Sequence, residues 1–265
     1  MQRADAAYWH DEPRMISGVF YFSLARYNPH TNSILYILAT VGGVSDLENN
    51  SMRHTIPIHD KKEVAMQRIS DAATRGYPLY CNGSVSTEKL PRLIDKFCIN
   101  YQVDADKNAR AYRQRKELGN AKLIIWKKSD DTVLWWLHVT ENGEHAARDL
   151  ESLKDSRKHR VRCEDFELVP LTKKGEAKPR MTWRFTTLKY TEHREAIISA
   201  VRSKNPVSMT RTIAIAFFAQ GCGFYGARSQ IGKLAALYRA EISRNSISNA
   251  PALPVTLRYV RRLHN

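Results

Sequence analysis

The chain has 265 residues, of which 43% are hydrophobic and 26% charged, the make-up of an ordinary folded protein whose core needs no disulfide or metal. Its net charge is +15, which favours acidic partners. The four cysteines, Cys81, Cys98, Cys163 and Cys222, are widely spaced and form no C-x-x-C pair, so zinc-ribbon and thioredoxin-type sites are excluded, and no apolar run approaches the length of a membrane-spanning helix.

The first element is a hairpin. "MISGVFYFSLARY" (15–27) and "SILYILATV" (33–41) are rich in β-branched and aromatic residues, and "NPHTN" between them supplies turn chemistry. "HDKKEVAMQRISDAATRG" (59–76) predicts a helix that stops at Gly76. A second helix follows Ser86 as "TEKLPRLIDKFCINY", with Pro91 tolerated because it falls in the first turn. A third, "ADKNARAYRQRKELG" (105–119), is polar and basic and should bury little.

The middle of the chain is β-rich. "AKLIIWKK" (121–128) and "TVLWWLHVT" (132–140) form a hairpin around Ser129-Asp130-Asp131, and "GEHAARDLESLKD" (143–155) is expected to be helical with Ala146, Leu150 and Leu153 on one side. "CEDFELVPL" (163–171) and "RMTWRFTT" (180–187) are strands joined by the basic tip "TKKGEAKP" (172–179). The last third is helical: "TEHREAIISAVRSKN" (191–205) capped by Thr191, then "SMTRTIAIAFFAQG" (208–221), capped by Ser208 and apolar nearly all round, hence a buried helix, then the amphipathic "ARSQIGKLAALYRAEISRN" (227–245). The expected fold class is α+β: antiparallel hairpins with packed helices, followed by a mainly helical C-terminal region. The expected organisation is an N-terminal α/β region (1–118), a β-β-α-β-β unit (119–188), a three-helix basic region (189–245), and a linker with a basic arm (246–265).

The charge is uneven. Residues 1–150 hold 20 Lys+Arg against 18 Asp+Glu, whereas residues 151–265 hold 22 against 9. A folded region with that excess repels itself unless it meets a polyanion, and nucleic acid fits best, ahead of an anionic membrane. "GCGFYG" raises a nucleotide-binding alternative, because Gly221, Gly223 and Gly226 match G-x-G-x-x-G. That fingerprint requires a strand before the glycines and an acid at a strand end about 20 residues on. Here a helix precedes them, and Glu241 would lie inside another, so the glycines are read as a turn between helices, longer than that of the strict DNA-binding motif.

The helix after the turn carries the main candidate face. Ile231, Leu234, Tyr238 and Ile242 form its apolar stripe. The opposite arc places the small residues Gly232, Ala236 and Ala240 between Arg228, Lys233, Arg239 and Arg244, a surface on which a phosphate backbone can lie close, with the helix N-terminal amides free for a further phosphate. The alternative is that the small residues pack on another helix. Further candidates for phosphate contact are Arg180 and Arg184 on a strand, Arg110 and Arg113 on the polar helix, and Arg261 and Arg262 in the terminal arm. A sheet face combining Trp126, Trp136 and His138 with those strand arginines would suit single-strand stacking, although buried tryptophans are the commoner outcome.

Catalytic signals are sparse. His54 and His59 invite an acid/base reading, but a separation of five puts them on opposite sides of a strand. The acidic pairs Asp104/Asp106, Asp130/Asp131 and Glu164/Asp165 fall in turns, where acids are expected anyway. The expectation is therefore a cytoplasmic nucleic-acid-binding protein, DNA ahead of RNA, with a regulatory, replication or mobile-element role, without cofactor, metal or membrane, and with its oligomeric state left open. The reading leans away from an enzyme. Its rivals are a nuclease or endoribonuclease, and an RNA-binding or scaffold subunit of a ribonucleoprotein complex.

Overall fold

The computed structural model describes residues 8–9, 14–16, 19–28, 33–40, 54–173, 175–218, 221–254, 257 and 259, the side chains only from residue 56 onward. The fold class is α+β, with seven helices and two sheets among the described residues. The chain divides into two units: residues 1–61, 75–154 and 265 form the first, and residues 62–74 and 155–264 the second. The charge asymmetry follows this division. The second unit carries 23 Lys+Arg and 10 Asp+Glu, the first 19 and 17.

The first unit is built on a sheet of β1 (Tyr8–Trp9), β2 (Arg14–Ile16), β3 (Val19–Asn28), β4 (Ser33–Thr40), β5 (His54–His59), β6 (Leu79–Ser86), β7 (Ala121–Lys127), β8 (Thr132–Val139) and β9 (Lys154–Asp155). The strand order is β1-β3-β4-β5-β7-β8-β6-β9, with β2 also pairing β3. β3 and β4 are the expected first hairpin, in the register Asn28↔Ser33, and β7 and β8 the second, in the register Lys127↔Val133. β5 lies parallel to β7, with His59 opposite Trp126.

α2 (Leu90–Tyr101) buries Leu90, Ile94, Phe97 and Tyr101, a helical spacing, in one cluster with Ile56, Ile58, Leu123, Ile125, Val133, Leu137 and Val139 of the sheet. Pro91 sits in its first turn, as the sequence requires. α3 (Lys107–Arg115) is capped by Asp106, which accepts from the Ala109 amide at 2.7 Å, and buries no residue. The helix expected over 143–155 is reduced to the single turn α4 (Ala147–Leu150). Glu151 ends it. Its backbone is extended, and its carboxylate is held by Lys96 at 2.7 Å and by the Tyr101 hydroxyl at 2.6 Å. The expected apolar side is correspondingly lost: Leu150 is 63% exposed, and Ala147 is the buried residue.

The second unit contains α1 (Lys62–Thr74), the three-stranded sheet β10 (Arg162–Cys163), β11 (Phe166–Leu171) and β12 (Arg180–Phe185), and the helices α5 (Thr187–Arg202), α6 (Pro206–Phe217) and α7 (Tyr225–Arg244). Trp183 of β12 is fully buried and donates its indole N–H to the Met66 carbonyl of α1 at 2.8 Å. Phe166 and Phe185 lie 4.9 Å apart between ring centroids, opposite one another in the β11–β12 register.

Two helix starts lie earlier than the sequence suggests. Thr186, not Thr191, caps α5 through the Lys189 amide, and Asn205, not Ser208, caps α6 through the Val207 and Ser208 amides. The earlier caps win because each side chain reaches the free amides of the first turn. α6 is also not buried all round. Met209, Ile213, Ala216 and Phe217 are buried, whereas Val207 is 75%, Ile215 52% and Phe218 66% exposed.

Candidate nucleic-acid interface

α7 is placed by β12. No side chain caps its N-terminus; the Gly226 amide donates to the Thr182 hydroxyl at 3.2 Å instead. The Gln230 side-chain amide then clamps Phe185, accepting from its N–H at 2.7 Å and donating to its carbonyl at 3.2 Å. The buried side consists of Gly226, Ala227, Ile231, Leu234, Tyr238 and Glu241. Ile231, Leu234 and Tyr238 are the expected stripe, but Glu241 takes the deepest position at its end, and Ile242 is only half-buried. The first-turn amide of Gly226 is therefore occupied, which corrects the expectation of a fully free N-terminus.

The opposite side of α7 is open. Ser229, Gly232, Lys233, Ala236, Arg239, Ala240, Ser243 and Arg244 are all exposed. A methyl group added at Gly232 would meet nothing within 4 Å. The packing alternative is thereby removed at Gly232 among the described residues. The result is a shallow strip of small side chains with cations along it.

The candidate basic residues are in different states. Lys233 and Arg239 are exposed, and no ion pair engages either among the described residues. Arg244 pairs with Glu241 on its own helix. The Arg228 guanidinium lies over the Tyr259 ring at 3.8 Å from its centroid, and its Nη1 has no hydrogen-bond partner among the described residues. Arg184 is bound to the buried Glu167 at 2.8 Å, a carboxylate it shares with Arg160, and Arg180 pairs with Glu176 at 3.0 Å. Arg110 donates to the Ala105 carbonyl, and Arg113 closes a loop by donating twice to the Gly119 carbonyl and once to Gln102. Arg261 and Arg262 lie outside the described residues.

The aromatic sheet face is not a platform. Trp126, Trp136 and His138 are 6%, 2% and 0% exposed. Burial pushes His138 down to about 4, and its Nδ1 lies 3.1 Å from the Tyr77 carbonyl, so the neutral ring donates there. His54 and His59 both lie on β5, five residues apart and so on opposite faces of the strand; the His54 side chain is outside the description, and His59 is buried. No three His, Cys, Asp or Glu side chains converge as metal ligands would among the described residues. The acidic pairs serve local structure. Asp106 caps α3, Asp130 pairs with Lys127 at 2.9 Å, Glu164 with Lys62 at 2.7 Å, and Asp165 approaches Lys189 at 3.6 Å.

Two of the three glycines of 221–226, Gly221 and Gly226, are explained by packing. Gly221 follows α6 with φ +92, and a side chain there would meet Phe166 and Met66. A Cβ at Gly226 would stand 2.7 Å from the Trp183 carbonyl oxygen.

One feature was not read from the sequence. Tyr225 opens α7 and, seven residues before Gly232, shares its face. Lys173 of the β11–β12 connection lies over that ring at 5.4 Å from its centroid. The only signal was the basic tip "TKKGEAKP"; its neighbour on α7 depends on tertiary contact. Comparison of the chain with protein-family models, curated proteins and solved structures finds no match.

Proposed function

We propose that this protein binds nucleic acid, DNA ahead of RNA, through phosphate contacts made by the open face of α7. The observation that carries this reading is the strip around Gly232: among the described residues nothing stands within 4 Å of a Cβ added there, and Lys233 and Arg239 are exposed without an ion pair, on a unit holding 23 basic and 10 acidic side chains. Small side chains let a backbone come close, and unpaired cations there release counterions when phosphates replace them. Arg228, at the N-terminal end of the strip, is covered by the Tyr259 ring with its Nη1 buried and is not counted among the contacts. Arg110, Arg113 and Arg184 are bound within the chain and do not enter the proposal. A regulatory, replication or mobile-element role in the cytoplasm suits such binding, as do four free cysteines. Among the described residues no helix is long and apolar enough to cross a membrane.

The test is a titration of the full chain with labelled duplex DNA, single-stranded DNA and RNA over a range of salt concentrations. Replacing Lys233 and Arg239 by Ala should weaken binding to every sequence and flatten the salt slope by about 2, one for each lost phosphate contact. An unchanged slope would remove α7 from the interface. Cleavage of the probe would establish a nuclease instead.

A further inference from the structure

We infer that the β11–β12 tip, residues 172–179, is a second phosphate-contacting element that acts with α7 on one double-stranded DNA. This inference rests on the reading of α7 above. In sequence the tip holds three lysines, Lys173, Lys174 and Lys178, against one acid, Glu176; Lys174 lies outside the described residues. The chain reverses where the Glu176 amide donates to the Lys173 carbonyl at 3.0 Å, with Gly175 at φ +86. Glu176 is taken by Arg180 at the base of the tip, at 3.0 Å, so the tip's acid does not offset its lysines. Lys178 is exposed.

The position of the tip supplies the second part of the argument. Lys173 stands over the ring of Tyr225, and Tyr225 begins the face that continues through Ser229, Gly232 and Ala236. An ammonium over an aromatic face keeps its full charge while its stem is held. The tip therefore brings Lys173 to the N-terminal end of the α7 strip. α7 has 20 residues and so runs about 30 Å.

The shape of the combined surface selects the partner. A helix enters the wide major groove of B-form DNA, whereas the deep, narrow major groove of A-form RNA does not admit one. With α7 in that groove, an element beyond its end meets the flanking backbone, where lysines contact phosphates. Single-strand readers instead need exposed aromatic platforms. Trp126, Trp136 and Trp183 are all buried, and the exposed rings Tyr112, Phe218 and Tyr259 lie on separate segments of the chain.

The experiment uses the full chain and three fluorescent probes: a DNA duplex long enough to span α7, the single strand of the same sequence, and the matching RNA duplex. Salt slopes are compared for the wild type, for Lys173→Ala with Lys178→Ala, for Lys233→Ala with Arg239→Ala, and for all four changes together, with circular dichroism to confirm folding. The tip variant should lower the duplex-DNA slope by about 2, the combined variant by about 4, and Lys178→Glu should weaken binding further than Lys178→Ala. A tip variant with the wild-type slope, beside an α7 variant that loses slope, would overturn this inference and leave the α7 reading standing. An unchanged α7 variant, or no binding to any probe, would overturn both. Equal affinity for the single strand or the RNA duplex would overturn the assignment to duplex DNA.

Discussion

The Gly226 amide and the Thr182 hydroxyl are 3.2 Å apart, and this bond seats the first turn of α7 on β12. The approach depends on the missing side chain, since a Cβ at Gly226 would stand 2.7 Å from the Trp183 carbonyl and 3.2 Å from the Arg184 Cβ. The obstacle is backbone, which cannot rotate aside. Gly226→Ala should therefore destabilise the protein by about 1–3 kcal/mol through overpacking, although alanine alone favours a helix by about 1 kcal/mol. Urea unfolding measures this, and a variant as stable as the wild type would contradict the close approach.

Gly232 lies two turns further along the same helix and should respond with the opposite sign. Among the described residues nothing stands within 4 Å of an added Cβ, so Gly232→Ala should gain roughly 0.5–1 kcal/mol from helix propensity. Gly232→Glu should also fold, but it sets a carboxylate between Lys233 and Arg239 and should lower affinity for DNA at low salt. Full affinity in the Gly232→Glu variant would argue that α7 binds by another face.

Much of the architecture was legible because local chemistry and tertiary packing agree. A start after Ser86 with Pro91 in the first turn marked α2, and apolar runs around Ser129-Asp130-Asp131 marked the β7–β8 hairpin. What stayed hidden depends on contacts distant in sequence. The stretch 143–155 has helical composition, but the hold of Lys96 and Tyr101 on Glu151 draws the chain out after one turn. The hairpins β7–β8 and β11–β12 are similar in pattern, and only tertiary pairing places them in separate sheets. At the candidate interface, the open strip of α7 was readable from helical phase. The partners that engage Arg113, Arg184 and Arg244 were not, because a guanidinium on a polar helix or strand looks the same in sequence whether it faces water or a carboxylate.

Arg184 tests that distinction. Its partner Glu167 has a side chain only 5% exposed and also receives Arg160 at 2.7 Å. Glu167→Gln leaves a half-buried guanidinium without its counter-charge and should cost about 1–3 kcal/mol, moderated because Arg160 can turn to water. Arg184→Ala should likewise lose stability yet leave the salt slope of DNA binding unchanged. A flattened slope in Arg184→Ala would make it a phosphate contact after all.

His138 predicts a pH dependence of stability. The ring is fully buried, chiefly that burial and then nearby Lys122 disfavour its cation, and it titrates at about 4 against about 6.5 in an unfolded chain. Between those values the unfolded chain binds one proton more than the folded one, so stability rises with pH. The contribution is fully present above about pH 6.5 and is lost as pH falls towards 4, at up to about 1.4 kcal/mol per pH unit. His145 and His193 are also held down by burial and add to the slope in the same direction. His138→Gln keeps a donor for the Tyr77 carbonyl but cannot titrate. It should reduce proton uptake on unfolding near pH 5 by about one, measured as the difference in slope of unfolding free energy against pH. Parallel slopes for variant and wild type would mean that His138 is already charged in the folded protein, and its Nε2, without a partner among the described residues, would then need a carboxylate or water beside it.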